Sequence, residues 1–110
     1  MEDYHKRLKN AIENLRHCND IIEINKHYLI NFLKYISAKN LSLSRQYKYL
    51  YTLKPIAKML NKDFSLTDKN DIIELVSKIN NSENYKENTK RDFKVIIKIF
   101  FKWFLKPTRH

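Results

Sequence analysis

Hydroxyl and basic side chains recur together along two stretches of the chain. In the first, Ser44, Tyr47, Lys48, Tyr51, Lys54 and Lys58 share one side of a helix at ~100° per residue, away from Leu50, Leu53 and Leu60. In the second, Lys90, Arg91, Lys94, Lys98 and Lys102 occupy the arc opposite Phe93, Ile97, Phe100 and Phe104. A solvated helix usually mixes charge signs, because i,i+4 pairs of opposite sign stabilise it. Here the polar faces are nearly all basic, with hydroxyls between the charges. Ser, Thr, Tyr, Lys and Arg are the side chains that hold phosphate oxygens. The pattern points to a nucleic acid, against the plainer alternative of a basic solvated surface.

The charge distribution supports that choice. The net charge is +10 with a pI near 9.7. Residues 1–20 are neutral overall and residues 62–84 carry −2, while 21–61 and 85–110 carry +6 each. The excess is therefore confined to two stretches, as an electrostatic footprint for a polyanion would be.

Other chemistry is poorly supported. His17, Cys18 and His27 match no zinc spacing, since two adjacent ligands and one distant one cannot close a site. His17 reads as a favourable charge at a helix C-terminus, and Cys18 as a small, buried or half-buried apolar residue. One cysteine excludes an internal disulfide and fits a reducing compartment, so a cytoplasmic location is expected. No apolar run approaches the ~18 residues of a membrane span, and no cofactor or metal is expected. Trp103 with Phe100, Phe101 and Phe104 could stack bases, but their helical spacing reads as core, with Phe101 or Trp103 left to face a partner. Tyr47 and Tyr51 lie on the basic face, where a hydroxyl can donate to a phosphate.

The elements that must position these residues are helical. Glycine is absent and hydrophobic residues make up 43%, so β-turn chemistry is missing while a core is affordable within 110 residues. The periodicity predicts an all-α, compact bundle of about five helices. The first is 4–16, with Leu8, Ala11, Ile12 and Leu15 on one face. The second opens on a capping-box-like Asp20 and Glu23 and carries Tyr28, Leu29, Phe32, Leu33 and Ile36. Asn40 stands at its αL cap. The third follows Ser42 or Ser44 as N-cap, with a kink expected near 51–54 from Pro55 and a cap at Asn61. The fourth starts at Thr67, with Ile72, Leu75, Val76 and Ile79 inward, and is an acidic brace kept off the polyanion. The fifth runs over 88–106 and stops at Pro107. Buried positions should include Phe32, Leu33, Leu50, Leu53, Leu60, Leu75, Val76, Phe93, Ile97, Phe100 and Phe104.

An ordered set of features carries a family resemblance. A helix with Phe32-Leu33-Lys34-Tyr35 leads to Leu41-Ser42-Leu43-Ser44 and then Arg45-Gln46-Tyr47-Lys48-Tyr49-Leu50. A short acidic helix with Asp71-Ile72 follows, then Asn88-Thr89-Lys90-Arg91 and a helix closing on Phe100-Phe101-Lys102-Trp103-Phe104-Leu105. The stretch 25–106 resembles the SAM-like core-binding domain of tyrosine recombinases, the phage-type integrases. The added first helix is similar to that of archaeal-type integrases. Pro55 departs from the usual uninterrupted helix, and Asn40 and Asn61 stand where glycine is more usual.

The resemblance implies residues 1–20 as an N-terminal extension, 21–106 as the DNA-binding core and 107–110 as the start of a linker or tail. It implies double-stranded DNA as partner, gripped by a clamp whose other half is a catalytic domain of the same parent, with other recombinase protomers on the DNA. The DNA-binding set it suggests is Ser42, Ser44, Arg45, Tyr47, Lys48, Tyr51 and Lys54 on one helix, and Thr89, Lys90, Arg91, Lys94 and Lys98 on the other. The family's catalytic set includes His-x-x-Arg, and no histidine here fits it. The tyrosines are therefore not read as nucleophiles, and the chain is not expected to be an enzyme, although a full-length parent would be. The alternative is a stand-alone DNA-binding regulator or protein-interaction domain on the same fold.

Overall fold

A computed structural model of the chain describes residues 3–105. Among these residues five α-helices follow in order: α1 Tyr4–Arg16, α2 Glu23–Ala38, α3 Leu43–Leu60, α4 Lys69–Asn81 and α5 Glu87–Phe104, with a 3₁₀ turn Phe64–Leu66 between α3 and α4. No strand occurs among the described residues. Lys106 and the expected stop at Pro107 lie outside them.

Local chemistry explains most boundaries. The Asp3 carboxylate accepts the Lys6 N–H at 3.3 Å to start α1, and the Ser42 hydroxyl accepts the Arg45 N–H at 3.3 Å to start α3. Each satisfies a donor that a helix start leaves over. Asn40 and Asn61 adopt φ of 63° and 48°, so asparagine fills the left-handed positions in this glycine-free chain.

Two predicted starts are corrected. Asp20 does not cap α2, whose N-cap is Ile22 with no side-chain bond. The chain instead buries Ile21, 4% exposed, ahead of the helix. Likewise α4 is capped by Asp68 rather than Thr67, in a reciprocal box with Asp71 at 2.9 and 3.0 Å. The 3₁₀ turn that delays this start places Phe64 in the core at 1% exposure. There it meets Phe100 and Phe101 edge-on, with ring centroids 5.4 and 5.9 Å apart.

The connection is held by Asn25 of α2, which is fully buried. Its amide donates to the Lys62 carbonyl at 2.7 Å, and its oxygen accepts the Phe64 N–H at 2.9 Å. Both halves of one amide are therefore satisfied by a segment about forty residues away, as a buried polar group requires.

The core runs through the middle of the bundle along α2, α3 and α5. Phe32, Leu50, Ile56, Ile79 and Phe100 are wholly excluded from solvent. Leu60, Val76 and Phe104, expected inside, are only half-buried. Leu60 and Phe104 sit at helix ends, and Val76 borders an open groove between α4 and α5. Phe101, considered for a partner-facing role, is buried at 4%. Trp103 packs half-buried against Tyr35 and Phe32, at 5.6 and 5.3 Å. The aromatic cluster is thus part of the core.

Candidate nucleic-acid interface

α3 is a single helix from Leu43 to Leu60, continuous across Pro55. Proline has no N–H to offer the Tyr51 carbonyl, yet the basic face is not divided by it. Lys48, Tyr51, Thr52, Lys54, Pro55 and Lys58 all line one groove of about 580 Å³. The opposite wall comes from the opening of α5, through Thr89, Asp92 and Phe93, with Tyr85 from the preceding loop. Tyr85 is set by an edge-on contact with Phe93 at 4.8 Å.

At the entry to α3, Ser42 and Ser44 join hydroxyl to hydroxyl at 3.1 Å, and Ser44 and Arg45 are exposed. Tyr51 is 69% exposed at the mouth of the groove. Tyr47 is different, because its ring is half-buried under α1. Arg7 lies over it at 4.8 Å and Tyr4 meets it at 6.1 Å. On its other side Tyr47 stacks on Tyr51 at 5.9 Å.

The expected residues of α5 do not form one surface with α3. Thr89 joins the groove. Lys90 turns inward, its side chain 15% exposed, and donates to the Asn80 carbonyl at the end of α4 at 2.9 Å. Arg91 is exposed. Lys94, Lys98 and Lys102 border a second groove, of about 350 Å³, with Ile72, Val76, Ile97, Phe101 and Leu105. Five residues separate Thr89 from Lys94, a rotation of roughly 140° on a helix of ~100° per residue, so the two sets sit on different flanks.

A second lysine follows the pattern of Lys90. Lys26, only 5% exposed, donates to the Arg16 carbonyl that ends α1, at 3.0 Å, and to Glu23 at 2.8 Å. That bond holds the Glu23 carboxyl below its ordinary range. Both lysines close the C-terminus of a neighbouring helix, where cations are favoured. Both side chains are largely withdrawn from solvent, although both contributed to the charge excess read from sequence.

Asp92 is the residue that sequence reasoning did not place. It is the acid of the groove, and its Oδ2 lies 3.1 Å from Lys48 Nζ. Its spacing of three from Thr89 puts it on the same flank, a signal that charge counting over a whole segment erases. His17 ends α1 beside Glu13 at 3.7 Å, and Cys18 is half-buried. Among the described residues no three His, Cys, Asp or Glu side chains gather as metal ligands. None of the described helices is long and apolar enough to cross a membrane.

A family model for the phage integrase N-terminal SAM-like domain matches residues 28–109, from within α2 to beyond α5. No curated protein and no solved structure matches the chain.

Proposed function

The chain belongs to the phage integrase N-terminal SAM-like domain family, and from that membership we propose that it binds double-stranded DNA through the exposed face of α3 and the opening of α5. The observation that carries this reading is the groove in which Lys48, Tyr51, Lys54 and Lys58 meet Thr89. Three lysines and the Tyr51 and Thr52 hydroxyls of α3, with the Thr89 hydroxyl of α5, line one concave strip beside the single carboxylate of Asp92, and these are side chains that hold backbone phosphates. Ser42, Ser44 and Arg45 extend the strip at the start of α3. Arg91, Lys94 and Lys98 lie beyond it and attract the duplex at longer range.

In this reading the domain supplies binding and orientation, and strand cleavage belongs to a catalytic domain of a recombinase parent. That domain and other protomers on the DNA are its partners, in the cytoplasm. The isolated domain should bind weakly, because it is one half of a clamp. Titrating a labelled duplex across a salt series tests this. Four to six phosphate contacts give a slope of log K against log salt of roughly −4 to −5. Binding that ignores salt would remove the reading.

A further inference from the structure

α4 carries two carboxylates within the helix, and both face α3. Asp71 bonds Lys62 at 2.9 Å, and Glu74 lines the cleft between α3 and α4 with Leu60 and Lys62. Toward α5 the same helix presents Ile72 and Val76. They meet Ile97 and Phe101 of α5, and Leu105 just beyond it, in the groove of about 350 Å³. Lys94, Lys98 and Lys102 border this groove at four-residue intervals. No hydroxyl and no carboxylate of the described residues lines it. All three lysines are exposed, and among the described residues none has an ion-pair partner. Lys26, Lys48, Lys62 and Lys90, by contrast, each stand beside a carboxylate. An apolar lining and an uncompensated row of cations therefore lie side by side.

We propose that the α4–α5 groove docks an acidic amphipathic helix of a protein partner, its apolar side chains on Ile72, Val76 and Leu105 and its carboxylates on the three lysines. Charge complementarity selects this occupant. Lys94 to Lys102 covers eight residues, about 12 Å of helix at ~1.5 Å per residue, so acids spaced i,i+4 on a facing helix can follow the row. Apolar side chains are covered by the same docking, which phosphates would not achieve, and the hydroxyls that accompany the lysines of the α3–α5 groove are missing here. A second copy carries the same net charge of +10 and is repelled. The residues after Leu105 add Lys106 and Arg109 and no apolar side chain, which is the opposite chemistry. A membrane surface needs apolar side chains that project, whereas Ile97 and Phe101 are recessed at 2% and 4% exposure. The proposal does not depend on DNA binding, because the two grooves lie on different flanks of α5.

The test uses a labelled synthetic peptide of about four helical turns, with leucines along one face and glutamates beside them, and a scrambled peptide of the same composition. The full chain should bind the amphipathic peptide about tenfold tighter than the scrambled one, as burial of one leucine allows, read by anisotropy at low salt. A Lys94→Glu, Lys98→Glu double variant should lose about tenfold, the sum of two reversed rim charges. Leu105→Gln should lose about fivefold through its apolar contact. All three side chains are exposed, so thermal midpoints should stay near wild type and either variant tests the proposal alone. Equal binding of the two peptides, or losses confined to the charge variant, would reduce the contact to net charge and overturn the proposal. So would absence of peptide binding, whether the chain then sediments with anionic phospholipid vesicles, self-associates through this groove, or loses duplex binding in the double variant.

Discussion

Lys48 Nζ and Asp92 Oδ2 stand 3.1 Å apart, joining α3 to α5 across the groove. Both side chains are about half exposed, at 57% and 45%, so the pair adds little to folding. In the proposed DNA-binding reading its effect falls on the ligand instead. A carboxylate among the cations repels phosphate and occupies the lysine that would otherwise meet it.

Removing that carboxylate should strengthen binding. Asp92→Asn is expected to tighten binding to a random duplex about fivefold, roughly 1 kcal/mol, and Lys48→Ala to weaken it by a similar factor. Fluorescence anisotropy at fixed salt reads both. Weaker binding by Asp92→Asn would mean that the carboxylate positions Lys48 rather than competing for it.

The α3–α5 groove and the α4–α5 groove should separate in the same assay. Lys54→Ala, in the groove, is expected to cost about 1 kcal/mol of binding, a rough figure for one charge-assisted contact. Lys102→Ala, on the α4 side, should cost much less although it removes the same formal charge. Thermal midpoints should barely move in either. Equal losses would reduce the interaction to net charge.

The buried polar anchors should behave in the opposite way. Asn25→Leu leaves the Lys62 carbonyl and the Phe64 N–H without their partner, and Lys26→Met does the same to the end of α1. Each is expected to lower stability by about 1–3 kcal/mol in urea or thermal unfolding. Neither should change the salt slope of DNA binding, since neither side chain reaches the groove.

Acid should loosen the α3–α4 connection. Lys62 Nζ lies 2.9 Å from Asp71 Oδ2. That bond, then the Asp68 N–H, holds the Asp71 carboxyl below its ordinary range, and Lys62 is raised in turn. A carboxylate whose folded pKa is depressed contributes stability above its unfolded pKa and loses it as pH falls through the folded one. Glu23 acts in the same direction through Lys26. The raised Lys62 contributes below the ordinary lysine range and loses its share only in alkali. The midpoint should therefore drop between about pH 5 and pH 2. Asp71→Asn should differ from wild type at neutral pH and converge with it in acid. A constant difference across that window would contradict the assignment.

Much of this molecule is legible in its sequence because helices are local objects. The 3.6-residue period marks α1 to its terminal residues, and Ser42, Asn40 and Asn61 act on hydrogen bonds a few residues away. The family follows from the same order of local signals. The 3₁₀ turn at Phe64 escapes, since a lone aromatic among polar residues has no period and its anchor, Asn25, is remote in sequence. The interface is divided in the same way. Sequence alone determines that α3 and α5 each carry a basic stripe. Only the packing of neighbouring helices decides which flank meets which. It turns Lys26 and Lys90 onto helix ends, covers Tyr47 with α1, parts Lys94 and Lys98 from Thr89, and brings Asp92 to Lys48. A stripe is fixed by residue spacing within one helix, whereas a partner is fixed by which other helix buries its core against it.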